Sequence, residues 1–165
     1  HDLFLGESAT TIDRVIKEQL GGGHFVTGQL AVLDTATGVL SWLNAGHPLP
    51  LLIRRGRVLG HLECRPRPPF GLDHLGGGAE VQVAAEHLEP GDGVLFYSDG
   101  VVEHRTRGGV DYGVDRVKDF LHNAFAAQLS PAETLRRLAN AILDFHDGQL
   151  SDDATTLLVV WQHDE

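Results

Sequence analysis

The stretch Gly91-Asp92-Gly93-Val94-Leu95-Phe96-Tyr97-Ser98-Asp99-Gly100 constrains this chain more than any other. Its apolar run from Val94 to Tyr97, with Val101 beyond the turn, reads as a buried strand. The strand ends in a carboxylate, Asp99, followed at once by Gly100. An Asp at the end of a buried strand is held by a rigid scaffold yet faces the rim, where a hard cation could reach it. Gly100 lets the backbone turn sharply and lets a bulky ligand approach. Ser, Asp and Gly are also the ordinary turn residues, so by itself the junction reads as a plain strand-to-turn connection.

A second acidic site lies near the C-terminus, where Ser151-Asp152-Asp153 precedes residues 154–161, the most strand-like run of the chain. If the two strands are antiparallel neighbours, Asp99 at the end of one and Asp152-Asp153 at the start of the other lie side by side. Converging carboxylates repel one another unless a cation sits between them. Oxygen-only ligation, without a suitable Cys or paired His, points to Mg²⁺ or Mn²⁺ and away from zinc. Such a cation lowers the pKa of a bound water and clamps phosphoryl oxygens, which suits phosphoester hydrolysis. Asp152 and Asp153 are equally at home as turn residues before a strand, and spacing does not choose between the two readings.

Composition narrows the classes. The 165 residues, 42% hydrophobic and 22% charged, fit one globular domain with a real core. A single cysteine, Cys64, excludes an internal disulfide and makes a reducing cytoplasm the default. Cys64 sits between Glu63 and Arg65 in a Pro- and Arg-rich stretch and is read as a spectator. No apolar run approaches the roughly 20 residues of a membrane span, and the opening residues do not read as a signal peptide. The net charge of −10, from 13 basic and 23 acidic residues, disfavours nucleic acid and anionic membrane as partners.

The remaining elements follow from periodicity. Ile12, Val15, Ile16 and Leu20 fall at helical spacing, with Asp13, Arg14, Lys17 and Glu18 on the outer face. Thr10 or Thr11 is the expected cap, and Gly21-Gly22-Gly23 the stop. Residues 25–34 and 39–44 form a hairpin across a turn from Asp34 to Gly38, and residues 50–54 and 57–62 another across Arg55-Gly56. Asn44-Ala45-Gly46-His47-Pro48 breaks the chain between them. His47 is read there as a structural histidine bonding nearby backbone in preference to a ligand. Pro66, Pro68 and Pro69 impose an extended segment up to Phe70-Gly71-Leu72. Residues 79–85 alternate as a half-exposed strand, with Val81 and Val83 inward. Val114, Val117, Leu121 and Ala124 mark one late helix. A second carries a full start signal, with Ser130 as cap, Pro131 in the first turn and Glu133 closing a capping box.

Taken together, these pieces resemble the catalytic domain of the metal-dependent serine/threonine phosphatases of type 2C (the PPM type). The branch is the bacterial one typified by stage II sporulation protein E (SpoIIE) and the sigma-factor regulatory phosphatases. The matching pieces come in family order: Phe25-Val26-Thr27, residues 34–38, Asn44 to Pro48, Pro69-Phe70-Gly71-Leu72, residues 88–92, Tyr97-Ser98-Asp99-Gly100-Val101-Val102-Glu103, two helices, and Asp152-Asp153-Ala154-Thr155. Each is weak alone, but their combination is specific and spans nearly the whole chain. The resemblance implies an α+β fold, a two-layer antiparallel β-sandwich flanked by helices, with a two-metal Mn²⁺ or Mg²⁺ site at one end. It assigns Asp99 and Gly100 to the metal site. At the C-terminal pair the ligand by position is Asp152, with Asp153 the second candidate, and Asp99 and Asp152 carry the catalytic role. The implied reaction is attack of a metal-bound water on phosphoserine or phosphothreonine without a phosphoenzyme. The implied substrate is a phosphorylated anti-sigma-factor antagonist protein. An upstream sensor domain and a catalytic homodimer would be natural in such a protein.

The family also carries an Asp-containing strand and a Gly-Asp-x-x-Gly-x-Gly segment ahead of its first long helix, and neither stands in this sequence. The expectation is therefore that residues 1–165 form the larger, C-terminal part of one phosphatase-like domain, N-terminally incomplete. As such it should bind metal poorly and turn over slowly by itself. Phe70 replaces a leucine common in the family. The competing reading is a non-catalytic partner-binding or regulatory module with Asp99 and Asp152 as remnants. A third reading, an anion site at the Arg54-Arg55-Arg57 cluster, carries little weight because arginines around a hairpin turn are usually solvated.

Overall fold

The computed structural model describes residues 2–21, 23–77, 80–103, 111–146 and 153–162. The chain divides into two compact units, His1–Leu49 with Leu62–Leu88, and Pro50–His61 with Glu89–Glu165. Each unit is an antiparallel sheet with its own helices, so the fold is α+β.

In the first unit, helix α1 (Asp2–Leu20) precedes strands β1 (Gly28–Leu33), β2 (Val39–Ala45) and β5 (Ala84–His87), which form a three-stranded sheet in the order β1-β2-β5. The β1–β2 hairpin closes where expected. One carboxylate oxygen of Asp34 accepts the amides of Ala36 and Thr37 at 2.9 and 3.2 Å, the local bonding that makes Asp a turn residue. β5 begins later than the alternation at 79–85 suggests. Ala84 to His87 pair with β2, whereas Val81 and Val83 pack inward on the core from irregular backbone. Alternation reports which side chains face a core, and ladder pairing is a separate condition that residues 81–83 do not meet.

Helix α1 departs most from expectation. It starts well before Thr10, and its buried face is Leu5, Ala9, Asp13 and Ile16, while Leu20 is exposed. Thr10 is no cap, since its hydroxyl donates back to the carbonyl of Gly6 at 3.0 Å inside the helix. Asp13, expected outside, is only 4% exposed. One carboxylate oxygen of Asp13 accepts Arg67 Nη2 at 2.6 Å and the other the Gly71 amide at 2.7 Å. Arg67 in turn lies 4.9 Å over the Phe70 ring. Gly71 adopts φ +91 beside the carbonyl of His24 and the Ile16 side chain, each 2.7 Å from where a Cβ would stand. Asp13 thus ties the Pro-rich segment to the helix.

In the second unit, strands β3 (Leu51–Arg54), β4 (Arg57–His61), β6 (Gly93–Tyr97) and β7 (Thr156–Val160) form a sheet in the order β4-β3-β6-β7. The β3–β4 hairpin turns through Arg55 at φ 52 and Gly56 at φ 73, the paired positive φ values of a tight hairpin turn. Helices α2 (Val114–Ala126) and α3 (Pro131–Phe145) belong to the same unit. Val117 and Leu121 of α2 and Leu138 and Ile142 of α3 join Leu51, Ile53, Leu95 and Tyr97 of the sheet in one buried cluster. Ser130 caps α3 by accepting the Glu133 amide at 3.3 Å. Glu133 does not complete the capping box. Its carboxylate takes Arg136 and Arg137 at 2.7 and 2.6 Å, and those bonds pull its pKa down to about 2.

Replacing Asp13 by Ala leaves the Arg67 guanidinium and the Gly71 amide without their buried acceptor. The expected loss is about 3 kcal/mol, read as a lower urea midpoint at unchanged denaturant slope.

Candidate metal centre

β6 is the central strand of the second unit, paired with β3 on one side and β7 on the other. Its residues Gly93, Val94, Leu95 and Tyr97 are buried, as an apolar run between two neighbours requires. The β6–β7 register runs antiparallel from Gly93↔Val160 to Tyr97↔Thr156. The condition set by the sequence is therefore met: the end of β6 and the start of β7 lie together, and Asp99 and Asp153 sit at the same end of the sheet.

The chain passes from Tyr97 into a single 3₁₀ turn, Asp99–Val101. The amides of Val102 and Glu103 both donate to the Asp99 carbonyl at 2.8 Å, which fixes the backbone of the turn. One Asp99 carboxylate oxygen accepts the Gly100 amide at 2.9 Å, and the residue is exposed. Across from it, Ser98 donates its hydroxyl to the Asp153 carbonyl at 3.2 Å and accepts the Thr155 amide at 2.9 Å. Gly100 is buried under the same peptide. A Cβ there would collide with the Asp153 carbonyl oxygen and stand 2.9 Å from its carbonyl carbon. The glycine is demanded by this close approach of backbone to backbone.

Asp99, Gly100 and Asp153 are thus brought to one junction; Asp152 lies outside the described residues. Among the described residues, no three His, Cys, Asp or Glu side chains gather into a possible metal cluster. The donor chemistry still fits a hard cation, because among the described residues the junction supplies exposed carboxylates and backbone carbonyls and no sulfur or imidazole. The rigid turn that carries Asp99 and the glycine that admits Asp153 are what such a site needs from its scaffold.

The other candidates have separate roles. His47 is structural, but its backbone, more than its ring, is what the loop holds. The Asn44 side chain accepts the His47 amide at 2.9 Å and donates to its carbonyl at 2.6 Å, while the ring Nδ1 lies 3.3 Å from the Thr27 hydroxyl. Burial pushes the Cys64 thiol up, away from the reactive thiolate form, in keeping with a spectator. The arginine cluster is not simply solvated. Arg54 binds the 1%-exposed Asp92 through Nε and Nη2, each at 2.7 Å, and Arg55 binds Glu89 at 3.0 Å. Asp92 also accepts the Glu89 amide at 2.8 Å, so this network pins the turn that delivers the chain into β6.

The family model of stage II sporulation protein E (SpoIIE) matches residues 1–162. The chain belongs to the SpoIIE family. Among curated relatives, protein IcfG of Synechocystis sp. is 25% identical over 160 residues, which are 97% of this chain and 24% of that protein. The phosphoserine phosphatase RsbU of Bacillus subtilis is 25% identical over 150 residues, 90% of this chain and 42% of RsbU. The chain therefore spans about a quarter and under half of the lengths of these two relatives. Solved structures of B. subtilis SpoIIE share the fold. The PP2C phosphatase domain with a fragment of the regulatory domain matches with TM-score 0.76 at 22% identity, over 97% of this chain and 45% of that one. A manganese-presoaked form of the phosphatase domain matches with TM-score 0.68 at 19% identity, over 96% of this chain and 67% of that one. The fold is that of the PP2C phosphatase domain.

Within this SpoIIE-family chain, Gly100→Ala forces the Asp153 peptide off the 98–101 turn. The expected cost is about 1–3 kcal/mol, seen as a lower thermal midpoint. Gly77→Ala is the comparison, since a Cβ there meets nothing within 4 Å although its φ is +68; it is expected to lose less, about 1 kcal/mol.

Proposed function

We propose that this chain is the larger part of the catalytic domain of a protein serine/threonine phosphatase, acting on a phosphorylated anti-sigma-factor antagonist with Mn²⁺ or Mg²⁺. The observation that carries the reading is the junction of β6 and β7, where Asp99 and Asp153 stand at the same end of the sheet beside a glycine that only close approach explains. Family membership over residues 1–162 and the likeness to RsbU, a phosphoserine phosphatase, support the reaction class. The manganese-presoaked SpoIIE domain supports the choice of cation class. No helix among the described residues is long and apolar enough to cross a membrane.

In this reading Asp99 is the fixed carboxylate of the metal site, held by its own turn through the Gly100 amide. Asp152 is the second carboxylate and Asp153 its neighbour in reserve. Gly100 contributes a carbonyl oxygen and the space through which β7's leading residues reach the site. A divalent cation bound there would lower the pKa of a water and neutralise charge on the phosphoryl oxygens. The turn of β6 and the Asp153 peptide would hold the two carboxylates close enough to share a cation, a geometry that repulsion alone would open.

The test is Mn²⁺-dependent release of phosphate from a phosphoserine protein by the full-length polypeptide and its Asp99→Asn variant. Loss of a ligand carboxylate is expected to lower kcat/KM roughly a thousandfold, about 4 kcal/mol of transition-state stabilisation. A full-length protein inert with every divalent cation would instead favour a partner-binding module.

A further inference from the structure

We propose that Ser98 is a positioning residue for the metal site, with its hydroxyl acting as the clip that sets the distance between Asp99 and the residues leading into β7. This rests on the metallophosphatase reading above.

In an antiparallel pair, alternate opposed residues exchange both of their main-chain bonds. The β6–β7 register makes Ser98 and Thr155 the next opposed pair beyond Tyr97↔Thr156, and the Ser98 amide does donate to the Thr155 carbonyl at 3.0 Å. The return bond, from the Thr155 amide to the Ser98 carbonyl, is not made. That carbonyl has already turned into the 3₁₀ turn and accepts the Val101 amide at 3.1 Å. The Ser98 hydroxyl takes its place. It accepts the Thr155 amide at 2.9 Å and donates to the Asp153 carbonyl at 3.2 Å.

The consequence is geometric. The backbone of β6 must leave the ladder at Ser98 to present Asp99, and an ordinary ladder would release β7 at the same point. The hydroxyl carries the pairing two residues further along β7, to Asp153, while β6 is already turning. From the other side, the missing Cβ of Gly100 leaves room for the same Asp153 peptide. Ser98 and Gly100 therefore hold Asp153 between a tether and a gap, and Asp152 is its covalent neighbour. At the opposite end of the same ladder the Trp161 amide donates to the Asp92 carbonyl at 3.0 Å, and the Gly91 amide donates to the Trp161 carbonyl at 2.8 Å.

A residue of this kind acts by orienting ligands, and loss of such partners typically costs 10–100-fold in metal affinity or activity. The experiment compares the full-length wild type with Ser98→Ala, Ser98→Thr and Asp99→Asn by Mn²⁺ titration calorimetry well below the thermal midpoints, alongside steady-state kinetics. Ser98→Ala is expected to weaken Mn²⁺ binding about tenfold and to lower kcat with KM for the phosphoprotein nearly unchanged. Ser98→Thr, which keeps the hydroxyl, is expected to bind Mn²⁺ within about twofold of wild type. If Ser98→Ala lowers the thermal midpoint but binds Mn²⁺ like wild type while Asp99→Asn does not, Ser98 is merely structural and the inference fails alone. If Asp99→Asn also binds Mn²⁺ like wild type, the metallophosphatase reading fails and takes the inference with it.

Discussion

The proposed metal site depends on the antiparallel pairing of β6 with β7. The two strands are separated in sequence by both late helices, so their pairing is a long-range closure that the core of the second unit must stabilise. Leu95 and Tyr97 of β6 pack with Leu51 and Ile53 of β3 and with Val117, Leu121, Leu138 and Ile142 of the helices. That burial holds the strand rigid up to Tyr97. Beyond it the backbone turns, and a side-chain hydroxyl and a glycine decide how near β7 stays. Apolar packing builds the platform, and a few polar contacts set the geometry on it, the usual division between stability and function.

The opposite end of β6 is secured by different means. Asp92 is buried and bound by the Arg54 guanidinium and the Glu89 amide. A buried carboxylate with a charged partner and a backbone donor defines a unique turn, because any other arrangement strands a charge. The first unit uses the same device at Asp13, which holds Arg67 and the Gly71 amide. In both units an acidic side chain fixes irregular backbone where no ladder can.

These contacts explain what was legible in the sequence. Elements governed by periodicity or local chemistry were readable: the hairpin turn built on Asp34, the Ser130 cap and the apolar run of β6, whereas the meeting of the ends of β6 and β7 hung on a pairing that only the register supplies. Asp13 was not, because a carboxylate at helical spacing beside Arg14 and Lys17 looks like surface, and its partners stand 54 and 58 residues away. Arg54 was misjudged for the same reason, its partner Asp92 being 38 residues distant. Helix α1 extends toward its N-terminus because Leu5 and Ala9 continue the buried face, a signal diluted by the exposed Leu3 and Phe4. The alternation at 79–85 located the inward valines but not the ladder, since period two records facing and not pairing. Ser98 stood in the motif from the start, yet its role needs the register of β7 to be seen.

The most direct test of the account is to locate manganese in crystals of the full-length protein by its anomalous scattering. A peak is expected at the junction of β6 and β7, with an Asp99 carboxylate oxygen at roughly 2.0–2.2 Å, the range of a small divalent cation on hard oxygen ligands. Manganese bound elsewhere, or an Asp99 carboxylate bare at saturating manganese, would contradict it.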